Sequence, residues 1–401
     1  MAGRRSSGAA PHATVIDERL AELRMQDRLR SLAPLRDAVG TEATLDGQRV
    51  TVFCSNDYLG LRQHPRLVAA GQAALQDLGA GSGSSRLVAG TLPCHERLER
   101  HLAAAFGADT ALVFSSGYQA NLALLTTLGR QGDLLCSDEL NHASIVDACR
   151  LSRADTRVFS HGDVEGLADQ LRVVRQGHRW VVVEGLYSMD GDRVDLAGYD
   201  RATRAAGATL VVDEAHAFGT LGPGGRGACA EAGIDAPIKL GTLGKALGSH
   251  GAFVLCDAEV RALLVSSGRS FLYTTALPPA SAAAATEALA VIHEEPWRRE
   301  ELSRQSRRVW KAILEMGLGT SSEPSPIIPV VVGEETKALA LAEYLLQAGL
   351  FCRAIRPPTV PEHTCRLRLT VSAQHSDAQV DHMLDALAAG VAHLGLDVDP
   401  C

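Results

Sequence analysis

"ATLVVDEAH" (residues 208–216) reads as a strand that runs out of apolar residues at a charged end. Leu210, Val211 and Val212 stand in an unbroken run, the pattern of a parallel strand covered on both faces. Asp213, Glu214 and His216 follow at once. "RWVVVEGLYS" (179–188) has the same form, with Glu184 after three valines. Between the two lies "DLAGYDRATRAAG" (195–207), a helical pattern closed by Gly207. Strand, helix and strand make a βαβ unit. Toward the N-terminus the runs "TALVFSS" (110–116), "DLLCSD" (133–138) and "TRVFSH" (156–161) alternate with the helical segments 118–129, 142–152 and 163–174. Such alternation predicts an α/β fold built on a mostly parallel sheet.

Outside this block the pattern changes. "HERLERHLAAAFG" (95–107) is an amphipathic helix ended by Gly107. "ATLDGQRVTVF" (43–53) is a hairpin with Asp-Gly as its turn. An Ala-rich helix (280–293) leads through Pro296 into "PIIPVVVG" and "CRLRLTVS", strands that flank the helix "KALALAEYLLQAGL". A chain of 401 residues exceeds what one core ordinarily serves. The expected division is residues 1–50 as leader, helix and hairpin, 51–294 as the large domain and 295–401 as a small α/β domain.

Composition narrows the function. The formal charge is −8, which argues against a nucleic-acid partner, since phosphate backbones are met by basic surfaces. No apolar stretch approaches the ~18 residues of a membrane span. "MAGRRSSGAAPHAT" is basic but has no apolar core, so it reads as a disordered leader, not a signal peptide. The nine cysteines are scattered singly without a CxxC pair. They read as reduced thiols of a cytoplasmic protein, with no metal site.

Candidate functional residues fall at strand ends, where ligands gather in open α/β sheets. Gly117 and Tyr118 open a helix and offer backbone N–H groups to an anion. Asp213 ends a strand and His216 follows it. His142 precedes a helix, and Ser188 and Asp190 follow a strand. Thr242 lies three residues before Lys245, in "KLGTLGKALGSHGAFV" (239–254), where a long cation stands among small residues. Taken singly, each has a plain reading as cap, turn, core or surface residue. "GAGSGSS" (79–85) fails as a dinucleotide fingerprint, because no strand precedes it and the spacing does not complete. Together the residues match what pyridoxal phosphate requires of a protein. Lys245 would be its covalent anchor, and Asp213 the partner of its pyridine nitrogen. Gly117, Tyr118 and Thr242 would hold the phosphate, and His142 would lie on the ring. The glycines around Lys245 would make room for the ring, and Lys239 would be a surface charge.

Seven motifs resemble the α-oxoamine synthases, a family of fold-type I pyridoxal-phosphate enzymes. They are "SNDYLGL" (55–61), "GSGSSRLVAGT" (81–91), "SDELNHASIVD" (137–147), "EGLYSMDGD" (184–192), "VVDEAHAFG" (211–219), "TLGKALGSHGAFV" (242–254) and "IRPPTVPEHTCRLRLTVSAQH" (355–375). The resemblance implies a fold-type I transferase that joins an amino acid to an acyl thioester with loss of carbon dioxide. It implies Lys245 as anchor and base, His216 and Ser188 near the phenolic oxygen, and Arg368 on the amino-acid carboxylate. Asn56 would line the site, and Thr359 and Arg30 would lie near the substrates. The family is homodimeric, with Thr274 and Thr275 completing the phosphate site of the other subunit. Within the family the motifs look most like the biotin-pathway branch, which uses L-alanine and pimeloyl-CoA or a pimeloyl-carrier protein. A member using glycine, serine or another acyl-CoA is the alternative, and an aminotransferase a remoter one. Two positions depart from the biotin-pathway pattern. Leu186-Tyr187 replaces Val-Phe, and His363 replaces a turn glycine, where a positive φ would be unfavourable.

Overall fold

The computed structural model describes residues 11–173, 176–318 and 321–396. Its centre is a seven-stranded sheet in the order Thr110–Phe114, Ala252–Cys256, Ile238–Thr242, Thr209–Asp213, Arg179–Glu184, Leu134–Asp138, Asp155–Phe159. The last five are mutually parallel, and Ala252–Cys256 runs antiparallel to both of its neighbours. Side chains of a strand alternate between faces, yet the valine runs are apolar throughout. The reason is that both faces are covered. Val181 and Val183 enter one core with Leu98, Leu167 and Tyr199. Val182 enters the other with Leu124, Ile145 and Leu264.

The Ala-rich segment forms the helix Pro279–Glu294, which buries Ala282, Ala285 and Ala288. It packs on the helices Pro65–Leu78 and Pro93–Phe106. Methyl-sized side chains let these helices approach closely, and a Cβ on Gly71 would sit 3.6 Å from the Ala280 carbonyl oxygen. The hairpin forms as read, with Asp46 (φ 48°) and Gly47 (φ 86°) at its turn. Its second strand, Gln48–Val52, also pairs in parallel with Leu350–Phe351. A three-stranded antiparallel sheet joins Ile327–Gly333, Cys365–Thr370 and Ala354–Ile355. We propose a domain boundary near 295, between the helices Pro279–Glu294 and Trp297–Glu315. No helix among the described residues is long and apolar enough to cross a membrane.

Several expectations need correction. Residues 1–10 of the leader lie outside the described residues, but the helix Pro11–Met25 already begins inside the stretch read as disordered. Lys239 is not a surface charge. It is 7% exposed, its Nζ is 2.7 Å from Asp235 Oδ1, and its charge favours the ionised form of buried Glu214. His363 does adopt φ 63°, the left-handed conformation that favours glycine.

Three of the four glycines around Lys245 pack closely within the chain, while a Cβ on Gly244, beside the lysine, would meet nothing nearer than 3.6 Å. A Cβ on Gly241 would lie 2.4 Å from both Phe218 and Phe253. One on Gly248 would lie 2.6 Å from the Leu61–Arg62 backbone, and one on Gly251 2.8 Å from the Phe114 carbonyl oxygen. Gly241→Ala therefore overpacks a closed ring cluster. Urea unfolding should show a loss of roughly 1–3 kcal/mol, whereas a glycine kept open for a ligand would tolerate the methyl.

Candidate active site

The carboxyl ends of the parallel strands open into one cavity of about 220 Å³. Gly117, Tyr118, His142, Asp213, His216, Thr242 and Lys245 all line it, so most of the predicted cofactor site converges there, whereas Asn56, Thr359 and Arg368 do not line it. Register explains part of this. Glu184 pairs with Asp213, and Asp213 with Leu240, so two strands finish at one level and the third runs two residues further, to Thr242.

Asp213 is 6% exposed and held from both sides. Its Oδ1 accepts the Ala215 N–H at 2.9 Å, and its Oδ2 accepts from Asn121 Nδ2 at 2.9 Å. Asn121 also donates to Ser144 Oγ at 3.0 Å, and that hydroxyl lies 2.8 Å from His142 Nδ1. One polar chain thus ties the strand-end carboxylate to the histidine. Gly117 begins the helix Gly117–Leu128, which Ser116 caps by accepting the Gln119 N–H. A Cβ on Gly117 would meet nothing within 4 Å, so the helix N-terminus faces open space. Tyr118 contributes its backbone there, while its phenol donates to Asp147.

Lys245 Nζ lies 2.9 Å from His216 Nε2, and His216 Nδ1 lies 2.7 Å from the Tyr58 hydroxyl. Burial lowers the Lys245 pKa to about 8, although Asp213 and Glu184 favour its charge. Burial and then Lys245 keep His216 far below the usual histidine range. Burial and then Asp213 raise Glu184 to about 8. Its carboxylate accepts the His142 N–H at 2.5 Å.

Arg368, 7% exposed, approaches from the strand Cys365–Thr370. Its Nε donates to the Ser188 carbonyl, its Nη1 to Asn56 Oδ1 at 3.2 Å and its Nη2 to the Tyr58 hydroxyl at 3.4 Å. Ser188 thus takes its place by its backbone, and does not line the cavity. Thr274 and Thr275 do not line it either. They flank the same helix start, accepting from Gln119 Nε2 at 3.3 Å and from Ser115 Oγ at 3.0 Å. Arg30 donates to Thr359 Oγ1 at 3.3 Å, so those two do meet. Arg30, however, lines a separate cavity of about 700 Å³, with Arg24, Arg353 and Arg356.

Residues 48–387 match the profile of the family aminotransferase class I and II. A relative from Pseudomonas putida named 8-amino-7-oxononanoate synthase is 44% identical over 373 residues, covering 92% of this chain and 95% of its own length. One of the same name from Anaeromyxobacter sp. is 47% identical over 362 residues, covering 90% and 91%. The chain belongs to the aminotransferase class I and II family, in its α-oxoamine synthase branch. A solved structure of a serine palmitoyltransferase from S. paucimobilis, with bound PLP, superposes with a TM-score of 0.91 at 30% identity. It covers 97% of this chain and 100% of that one. The fold is that of the fold-type I transferases.

Four further residues of the site, Tyr58, Asn121, Ser144 and Glu184, have no role in the sequence reading. Glu184 carried a usable signal, because it closes its valine run as Asp213 closes its own. Asn121 did too, as an amide at the start of the apolar stretch of the helix, one turn after Gly117. The lowered lysine pKa has a direct consequence. The neutral amine is the nucleophile, so its fraction grows about tenfold per pH unit below the pKa and then levels. Lys245 in the cofactor-free protein should react with a carbonyl reagent at a rate that rises from pH 6 and flattens near pH 8. Borohydride trapping and peptide mass mapping would check this. A rise continuing to pH 10 would mean an ordinary lysine.

Proposed function

We propose that this chain condenses L-alanine with a pimeloyl thioester, carried by CoA or a carrier protein, to give 8-amino-7-oxononanoate, carbon dioxide and the free thiol of CoA or the carrier, in biotin biosynthesis. The observation that carries the reading is Lys245 and Asp213 facing one cavity, in a chain 44% identical to a synthase of that name. The residues fit pyridoxal phosphate. A buried amine with its pKa near 8, a fixed carboxylate and an open helix N-terminus are the three kinds of group this cofactor needs.

When bound, the cofactor supplies an electron sink for the negative charge that develops at the amino-acid Cα. Lys245 would hold the cofactor covalently, and its amine is placed to take a proton from the amino-acid Cα at close range. Asp213 keeps the pyridine nitrogen protonated. Gly117, Tyr118 and Thr242 hold the phosphate, joined by Thr274 and Thr275 of a second copy. His142 lies on the ring and assists proton transfer. His216, tied to Tyr58, sits beside the phenolic oxygen, with the Ser188 loop next to it. Arg368 takes the amino-acid carboxylate, beside Asn56. Arg30 and Thr359 meet the acyl substrate. A homodimer is supported by the exposed apolar residues Leu87, Val88 and Tyr273 close to these threonines. A cytoplasmic location is supported by the absence of a disulfide among the eight described cysteines, Cys401 lying outside the described residues.

A second reading, serine with a long acyl chain, is favoured by the likeness to serine palmitoyltransferase. A matrix of amino acids and acyl-CoAs scored for CoA release separates the two. Alanine with pimeloyl-CoA should give the highest kcat/KM, and Lys245→Ala should lose at least about 1,000-fold. Turnover of serine in place of alanine would overturn the assignment.

A further inference from the structure

The loop that carries Ser188 is held from outside the cavity by a side chain with no role in the reaction described above. His161 follows the strand Asp155–Phe159. Its Nδ1 lies 3.0 and 3.1 Å from the two carboxylate oxygens of Asp138, and its Nε2 2.7 Å from Asp192 Oδ2. Its ring meets Tyr187 edge-on, with centroids 4.4 Å apart. A neutral imidazole has one N–H and could serve only one carboxylate, whereas the imidazolium serves both. Burial opposes that charge, but the two aspartates outweigh it and raise the His161 pKa to about 10.

Each aspartate is itself fixed. Asp138 ends a central strand, is fully buried, and accepts the Leu140 N–H at 2.9 Å. The Asp192 carbonyl accepts the Tyr187 N–H at 3.1 Å, and the Tyr187 carbonyl accepts the Gly191 N–H at 2.9 Å. These two bonds close residues 187–192 into a compact loop. Ser188 lies inside it and gives its carbonyl to Arg368 Nε. Asp190, in the same loop, accepts from Arg366. A guanidinium is planar, so a partner fixed at Nε sets the plane in which its other donors point.

We propose that His161 is a positioning residue: a strut from the sheet at Asp138 to the loop 187–192 that sets the Ser188 carbonyl and, through it, the orientation of Arg368. The inference rests on the assignment of Arg368 to the amino-acid carboxylate made under Proposed function. It predicts a specific kinetic defect. A misaimed Arg368 weakens capture of the amino acid, while the acyl thioester and the cofactor bind as before.

Steady-state kinetics of the holoenzyme test this in His161→Gln, Asp192→Asn, Arg368→Gln and the double variant of His161 and Arg368. His161→Gln should raise the amino-acid KM about tenfold. The acyl-thioester KM should stay within about twofold, and the bound-cofactor absorbance should not change. Asp192→Asn should reproduce the pattern, and it decides the matter alone if His161→Gln does not fold. The double variant should be no worse than Arg368→Gln. A fall in melting temperature with both KM values unchanged, or an equal loss on both substrates, overturns the strut. If Arg368→Gln raises the amino-acid KM while neither His161→Gln nor Asp192→Asn does, only the strut fails. If Arg368→Gln leaves that KM unchanged, the carboxylate assignment fails and the strut falls with it.

Discussion

Two carboxylates placed side by side at the ends of neighbouring strands set the terms for the rest of the site. Glu184 and Asp213 are paired in register, so the parallel ladder forces both into one buried layer. Like charges at such a distance and depth oppose each other strongly. The structure separates their roles by environment. Asp213 has a donor on each oxygen and faces the cavity. Glu184, fully buried, is pushed up to about 8 by burial and by Asp213. A nearby cation is then favourable, and both carboxylates favour the charge of Lys245, while its own burial lowers its pKa to about 8. Pairs of titratable groups driven apart in this way mark where acid and base work is divided.

The strand-end residues were legible because short β-rich runs alternate with helical patterns, most plainly in the valines 181–183 and 211–212. Five of the seven central strands could be read so. Ile238–Thr242 and Ala252–Cys256 were not listed among them, since Gly241 interrupts one and a glycine-rich segment separates the two. Contacts distant in sequence were hidden as well. Nothing local in "QRVTV" announces Leu350–Phe351 as its parallel neighbour. Nor does the sequence show that Gly241 is small because Phe218 and Phe253 close over it. Lys239 illustrates a further limit. Its partners Asp235 and Glu214 flank it only once the sheet has formed, and a strand pattern cannot tell a paired buried lysine from a solvated one.

The residues proposed to hold the cofactor and those proposed to hold the amino acid have different origins. Asp213, Thr242, Lys245 and the helix start at Gly117 all belong to the central sheet and its connections. Arg368, Asn56 and Tyr58 meet where the C-terminal strand packs on the segment 53–58. The contact is largely backbone: Thr370 N–H donates to the Phe53 carbonyl and Ala373 N–H to the Tyr58 carbonyl, both at 2.7 Å. Ser372 Oγ adds a bond to the Asp57 carbonyl at 2.9 Å. Side-chain identity along this seam can change without breaking it, because main-chain groups carry the pairing.

That division bears on specificity. The sheet-borne residues serve steps common to any amino acid condensed in this way, so a shared fold says little about which substrates are joined. Selection has to come from the seam and from the neighbouring N-terminal segment. There Arg30 donates to the carbonyl oxygens of Arg356 and Pro357 and to Thr359, and Arg28 bridges Glu335 and Glu362. These bonds fasten residues 28–30 to the turn that contains His363, held in its left-handed conformation. On the proposed roles, the acyl chain would meet a segment tied to the rest of the chain through long arginine side chains, whereas the lysine, the aspartate and the helix N-terminus would act from the central sheet and its connections.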